Sequence, residues 1–255
     1  MVWNEESNGM VRKKKGIIGL ESGIHNKDLQ VSSTKLLRSG SYKKQRVISL
    51  IPAIEPIPPK VYLSHCALIF PPNQGVFRFL AEGDEVGIAF NNAVETILKH
   101  PDLSKWEYLL TIEADNIPQP DALIRLLQRM EDNPQLDAIG GLYWTKGLGG
   151  VPQIWGDPKD TLPNYRPQLP DVNGGLVECC GLGMGFTLYR LKMLKDPEFP
   201  RPFFKTLAGK EGVGTQDLYF WGNARRLGYR CAVDCGTVIG HYDFEGKYGE
   251  PDTTY

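Results

Sequence analysis

Along the chain, the pattern of apolar and polar positions changes at residue 46. Residues 1–45 are rich in Ser, Gly, Asn and Lys, and only Gly16–Leu20 could form a short ordered piece. From Val47 the pattern becomes that of a folded domain. Val47–Ile51 is a continuous apolar run stopped by Pro52, which predicts a buried strand. Val76–Leu80 is a second short strand candidate, followed by a polar loop carrying Glu82 and Asp84. Val86, Ala89, Phe90, Ala93, Val94, Ile97 and Leu98 recur at helical spacing and predict an amphipathic helix over 85–99. Tyr108–Ile112 reads as a strand that runs directly into Glu113-Ala114-Asp115-Asn116. Pro120-Asp121 should open a helix, with Leu123, Ile124, Leu127 and Met130 on its apolar face. Leu136–Tyr143 is the next strand.

Strands alternating with helices predict an α/β fold, a mostly parallel sheet with helices on both faces. The expected organisation is a flexible N-terminal extension over 1–45 and a single domain over 46–255. The second half is less regular. Residues 145–176 are dense in Gly, Pro and Asp, as long functional loops often are. A glycine-rich turn, Gly181–Gly185, leads into a strand over Phe186–Tyr189. Thr215 is placed to cap a helix with Leu218, Trp221, Ala224 and Leu227 as its buried stripe. Arg230–Val233 and Val238–His241 close the pattern.

Composition narrows the class. Hydrophobic residues make up 41% and charged residues 23% of 255, the balance of a globular chain rather than a disordered one. The longest apolar run, Val61–Phe70, is broken by Ser64 and His65 and falls short of the roughly 18 residues a spanning helix needs. The net charge of −1 hides a division: residues 1–46 hold ten Lys and Arg against four acids, or +6, which leaves −7 for the rest. A basic arm on an acidic body suggests a polyanionic partner. The odd count of five cysteines and the lack of an apolar signal core predict a reducing, cytoplasmic setting.

The acids carry the chemistry. Glu113 and Asp115 share a strand face and end a strand where α/β folds bind ligands. Two such carboxylates are read either as a site for a hard divalent cation or as a polar loop capping a helix. Asp217, in a first helical turn, is either a capping acid or a general base. His241 is either structural or a third ligand. Tyr143, Trp144 and Trp155 flank the long loop, as packing or as a platform for a sugar or base. Gly181–Gly185 lacks the G-x-G-x-x-G spacing of a dinucleotide fingerprint, although a close backbone approach to a ligand stays open. Cys179, Cys180, Cys231 and Cys235 lack zinc-knuckle spacing. No G-x-S-x-G, H-E-x-x-H or P-loop motif is present.

In order, these features resemble the GT-A fold of nucleotide-sugar glycosyltransferases, family 2-like members in particular. Val47–Ala53 looks like the first strand, with Pro52 and Ala53 opening the nucleotide pocket. Gly87–Asn91 is similar to the A-R-N helix, with Phe90 in place of Arg. Leu110–Asn116 followed by Pro118 and Pro120–Leu123 resembles the D-x-D strand and the next helix, with Glu113 as the first acid. Gly183–Arg190 resembles the acceptor-side glycine segment. Thr215–Phe220 resembles the E-D motif, with Gln216 in place of Glu. Gly228–Arg230 and Gly240-His241 resemble the late strand and metal-binding histidine.

The resemblance implies a Rossmann-like GT-A domain and a transferase that uses a nucleotide-sugar, with a UDP-sugar favoured. It implies Mn²⁺ or Mg²⁺ on the donor diphosphate, held by Asp115 and His241, with Glu113 on the ribose or the metal's waters. Asp217 would deprotonate the acceptor hydroxyl and give inversion. Glu55, Glu82, Asp84, Asn91 and Ala114 are expected around the nucleotide. Gly183, Met184, Gly185, Trp144 and Gln216 are expected around the sugar and acceptor, with modified DNA one candidate acceptor. The alternatives are a nucleotidyltransferase, for which residues 52–60 offer only Lys60 as a phosphate-binding cation, and a non-catalytic nucleotide- or glycan-binding module.

Overall fold

The computed structural model describes residues 46–255 apart from 54–55, 73–75, 83–84, 148, 161–163, 208–213 and 244–251. The basic arm over 1–45, Glu55 and Asp84 therefore lie outside the described residues. The chain runs through β1 (Val47–Ala53), α1 (Pro59–Ala67), β2 (Arg78–Glu82), α2 (Val86–Lys99), β3 (Tyr108–Ile112), β4 (Asn116–Ile117), α3 (Ala122–Asp132) and β5 (Ala138–Leu142). It continues with β6 (Ile154–Trp155), β7 (Leu176–Cys179), β8 (Gly181–Leu182), β9 (Phe186–Arg190), α4 (Leu191–Leu194), α5 (Gln216–Arg226), β10 (Cys231–Val238), β11 (Gly240–Asp243) and β12 (Asp252–Thr254).

A seven-stranded sheet has the order β2-β1-β3-β9-β5-β10-β7. β2, β1 and β3 run parallel, as do β5 and β10. β9 lies antiparallel between β3 and β5, and β7 is antiparallel at the edge. Five strands thus share one direction, a mostly parallel sheet as expected. Side-chain alternation explains why it is covered twice. Ile48, Leu50 and Leu109 pack with Phe90, Val94 and Trp221 from α2 and α5. Their neighbours Val47, Ile51 and Leu110 pack on the other face with Leu123, Leu127 and Met130 of α3.

Several local expectations change. α1 is not among the elements expected above; Pro59 stands in its first turn, where a proline sacrifices no hydrogen bond. Neither Asp121 nor Thr215 uses its side chain as a helix cap. Asp121 accepts from Arg125 Nε at 2.7 Å, and the Thr215 hydroxyl donates to Asp217. On α5 the buried residues are Phe220, Trp221, Asn223 and Ala224. Leu227, its C-cap, is 37% exposed. The cause is an aromatic platform beneath the helix. Phe220 stacks on Phe199 and Phe204, with centroids 5.0 and 4.9 Å apart. Trp221 donates Nε1–H to the Leu182 carbonyl at 2.9 Å. Removing aromatics packed in this way typically costs about 3–5 kcal/mol, so the start of α5 has a rigid base.

α1 also carries a buried imidazole. His65 Nε2 donates to the Asn116 carbonyl at 2.9 Å, while its Nδ1 is buried without a partner. Burial therefore lowers the pKa to about 4, with Arg78 reinforcing the effect. The folded state binds fewer protons than the unfolded state between pH 4 and 6.5, so this contribution is intact above pH 6.5 and is lost as pH falls toward 4. It amounts to roughly 3 kcal/mol. Urea melts at pH 7 and 4.5 should show His65→Gln losing less stability on acidification than the wild type; equal losses would refute the assignment.

Candidate active site

A second, small sheet of order β12-β11-β4 assembles the site. β4 begins directly after Asp115 and pairs antiparallel with β11, placing Asn116 opposite His241. The Tyr242 N–H donates to the Asp115 carbonyl at 2.7 Å. This register brings His241 Nε2 within 3.4 Å of Asp115 Oδ2. His241 Nδ1 lies 2.7 Å from the Trp144 carbonyl, which can only accept, so Nδ1 carries a proton.

Lys146 Nζ is 2.6 Å from the same Oδ2, whereas Asp115 Oδ1 is buried with no hydrogen-bond partner. Burial opposes ionisation of Asp115, but the His241 and Lys146 contacts prevail and hold its carboxyl below the usual range.

Two more acids lie in the same field. Burial, then the charges of Asp115 and Asp217, push Glu113 up to about 8, against the pull of Lys146. Asp217, in the first turn of α5, is also raised by burial, although hydrogen bonds oppose the shift. Its Oδ1 accepts from the Thr215 hydroxyl and, at 2.8 Å, from the Leu218 N–H. Tyr143, buried beside these acids, is held as a phenol by burial and by the charges of Glu113 and Asp217.

The glycine turn serves this packing. A Cβ at Gly183 would stand 2.1 Å from Tyr143 Oη, and one at Gly185 would stand 2.4 Å from Asn116 Oδ1. The Gly185 N–H donates to Tyr143 Oη at 2.9 Å, and its carbonyl accepts from the Glu113 N–H at 3.0 Å. Met184 is buried in the core. These three residues, expected at the acceptor, therefore frame the acids from behind.

The remaining expected residues divide between rim and scaffold. Pro52 and Ala53 end β1 in register with Ala81 and Glu82 at the end of β2, so Glu82 borders the same carboxyl-end crevice. Ala114 lies half-buried between the two acids of its motif. Gln216 opens α5 beside the start of α2, close to Gly87. Trp144 contributes its carbonyl to His241. Asn91 is committed elsewhere: its amide donates to the Phe204 carbonyl at 2.5 Å and accepts from the Phe204 N–H at 3.0 Å. It ties that segment to α2 rather than reaching for a nucleotide.

Lys146 and the Tyr143 hydroxyl join the site without being among the expected site groups. A lysine just beyond a strand's carboxyl end, beside Gly147, was the available signal for Lys146; no spacing rule marks the tyrosine.

Among the described residues, no three His, Cys, Asp or Glu side chains converge as a metal cage. Glu113, Asp115 and His241 are therefore not gathered into a three-residue cluster in this arrangement. Asp115 and His241 still fit a hard cation that takes its other ligands from a diphosphate and water, as Mg²⁺ commonly does. The orphaned Asp115 Oδ1 and the carbonyl-oriented imidazole are the features such a cation would use.

Sheet order and the strand directions define a Rossmann-like α/β domain, with the acids at the carboxyl end of β3. No protein-family model and no curated protein matches the chain by sequence. Among solved structures, the viral protein A197 from STIV is similar with a TM-score of 0.57. The match covers 82% of this chain and 94% of A197 at 15% identity. TarS 1–349 from S. aureus scores 0.46, and its complex with UDP-GlcNAc scores 0.47, both at 15% identity. Each TarS match covers 76% of this chain and 59% or 57% of TarS, respectively. At such identity the A197 likeness speaks to fold alone, and the TarS pair adds no weight to it. No helix among the described residues is long and apolar enough to cross a membrane.

Proposed function

We propose that the chain is a glycosyltransferase moving a sugar from a nucleotide-sugar, a UDP-sugar by preference, to an acceptor hydroxyl, with Mn²⁺ or Mg²⁺ on the donor diphosphate. The observation that carries this reading is the Asp115–His241 pair at the carboxyl end of β3. Its imidazole is oriented by a backbone carbonyl in the way metal-bound histidines are. The crevice beyond the carboxyl ends of parallel strands is also where open α/β sheets take ligands.

Asp115 and His241 would hold the ion, which when bound withdraws charge from the departing nucleoside diphosphate. The residues of the chain do the rest. Pro52, Ala53 and Glu82 border the nucleotide. Glu113 would contact a ribose oxygen or the waters of the ion. Asp217 takes the proton of the acceptor hydroxyl. The acceptor oxygen bonds to the anomeric carbon as the bond from that carbon to the diphosphate oxygen breaks, giving inversion. Thr215 and Leu218 occupy Oδ1, which leaves Oδ2 to receive the proton. Gln216 and Trp144 flank the acceptor side, and the basic arm suits a polyanionic acceptor such as modified DNA.

A nucleotidyltransferase would need Lys60 on the phosphates, but Lys60 Nζ donates to Thr253 Oγ1 at 2.5 Å. Calorimetry with UDP in the presence and absence of Mn²⁺ tests the donor site, and a panel of nucleotide-sugars assayed for Mn²⁺-dependent hydrolysis tests the chemistry. Metal-dependent heat is expected. Its absence with every nucleoside diphosphate tried would overturn the reading.

A further inference from the structure

One feature of the site is unexplained by donor binding or proton transfer: the ammonium already seated on the carboxylate that should take the metal. Lys146 Nζ and His241 Nε2 approach the same oxygen, Asp115 Oδ2, at 2.6 and 3.4 Å. A divalent ion placed between Asp115 and His241 must therefore compete with this ammonium for one carboxylate. Even with the ion on the free Oδ1, two cations on one carboxylate stand close enough to repel strongly.

The local backbone lets the lysine leave without disturbing the rest. Thr145 and Val151 close the turn by two hydrogen bonds of 2.9 Å, Thr145 N–H to the Val151 carbonyl and Val151 N–H to Thr145 Oγ1. Beyond Lys146, the turn contains Gly147 and Gly149, at φ 83° and 76°. The Trp144 carbonyl that orients His241 belongs to the same peptide unit as the Thr145 N–H and is pinned by that bond, so Lys146 can move while the imidazole stays set.

We infer that Lys146 is a displaceable counter-cation. It neutralises Asp115 while the site is without metal and passes to the donor diphosphate when a divalent ion takes its seat. This rests on the donor-site reading above. Charge balance explains why the exchange needs the nucleotide. Asp115 and Lys146 cancel, so an ion arriving alone leaves a surplus of positive charge in a partly buried site. A diphosphate supplies the missing negative charge, and an ammonium on a flexible four-carbon stem is a natural phosphate partner. Cation and nucleoside diphosphate then bind as a coupled pair, each tightening the other by the same factor.

Titrating Mn²⁺ by the loss of its free electron paramagnetic resonance signal, with and without UDP, tests this without measuring transfer. Wild type should bind Mn²⁺ weakly alone and at least roughly tenfold more tightly with UDP. Lys146→Met should bind Mn²⁺ alone about tenfold more tightly than wild type and lose most of the UDP effect. Lys146→Arg, which keeps the charge, should retain weak binding of Mn²⁺ alone. If wild type shows the UDP effect and Lys146→Met matches it within twofold, the counter-cation role is wrong while the donor site stands. If wild type binds no Mn²⁺ even with UDP, the donor-site reading fails and this inference fails with it.

Discussion

Asp217→Asn is expected to bind UDP and Mn²⁺ as wild type does and to transfer sugar about 10²–10⁴-fold more slowly, the usual contribution of a positioned general base. The substitution keeps the shape of the side chain. An asparagine oxygen can still accept from Thr215 and from the Leu218 N–H, so α5 should keep its start. What disappears is an ionised oxygen able to receive a proton. Because burial raises the Asp217 pKa, the wild-type rate should also climb along an acidic limb as this carboxyl ionises, and the variant should lack that limb. Single-turnover rates across pH, paired with UDP calorimetry, separate the two effects. Transfer within a few-fold of wild type would remove Asp217 from the role of base.

The second large effect is expected at Asp115. Asp115→Ala should lower the metal-dependent part of UDP affinity by roughly 10²-fold or more, because it deletes one of the two proposed protein ligands. Binding of UDP without metal should change far less. The small sheet should persist, since the Tyr242 N–H pairs with the backbone carbonyl of residue 115 and not with its side chain. An unchanged difference between UDP titrations with and without Mn²⁺ would eliminate Asp115 as a ligand.

How much of this was legible in the sequence depended on whether burial left a local pattern. β1 and β3 were readable as continuous apolar runs because both faces of the sheet are buried, and α2 and α3 because their apolar residues recur at the helical period. The antiparallel direction of β9 was not readable. Phe186–Tyr189 carries the same apolar pattern in either orientation, and only its pairing with Leu109 and Ile139 sets the direction. α1 hid behind Pro58-Pro59. Glu113 and Asp115 stood out because two carboxylates side by side at a strand end are costly without a partner, and Asp217 because it stands in a first helical turn within a segment that resembles the E-D motif. Lys146 and the commitment of Asn91 to Phe204 did not, since both depend on partners far along the chain. The two glycines of the 183–185 turn were noticed for the right reason, close approach, but what approaches is Tyr143 and Asn116.

The β4–β11 pairing gives the domain a topological clasp. Asn116 belongs to the first half of the chain and His241 to its last stretch, yet their register alone sets Asp115 against the imidazole. Contacts that close so long a loop are costly to form early in folding. The seven-stranded sheet does not include this pairing, so the core can be complete while the clasp is still open. The ligand pair therefore reports whether this separate pairing has formed on the completed core. Any ion and nucleotide bound there draw their affinity from the closed form alone, which ties occupancy of the site to the integrity of the whole chain.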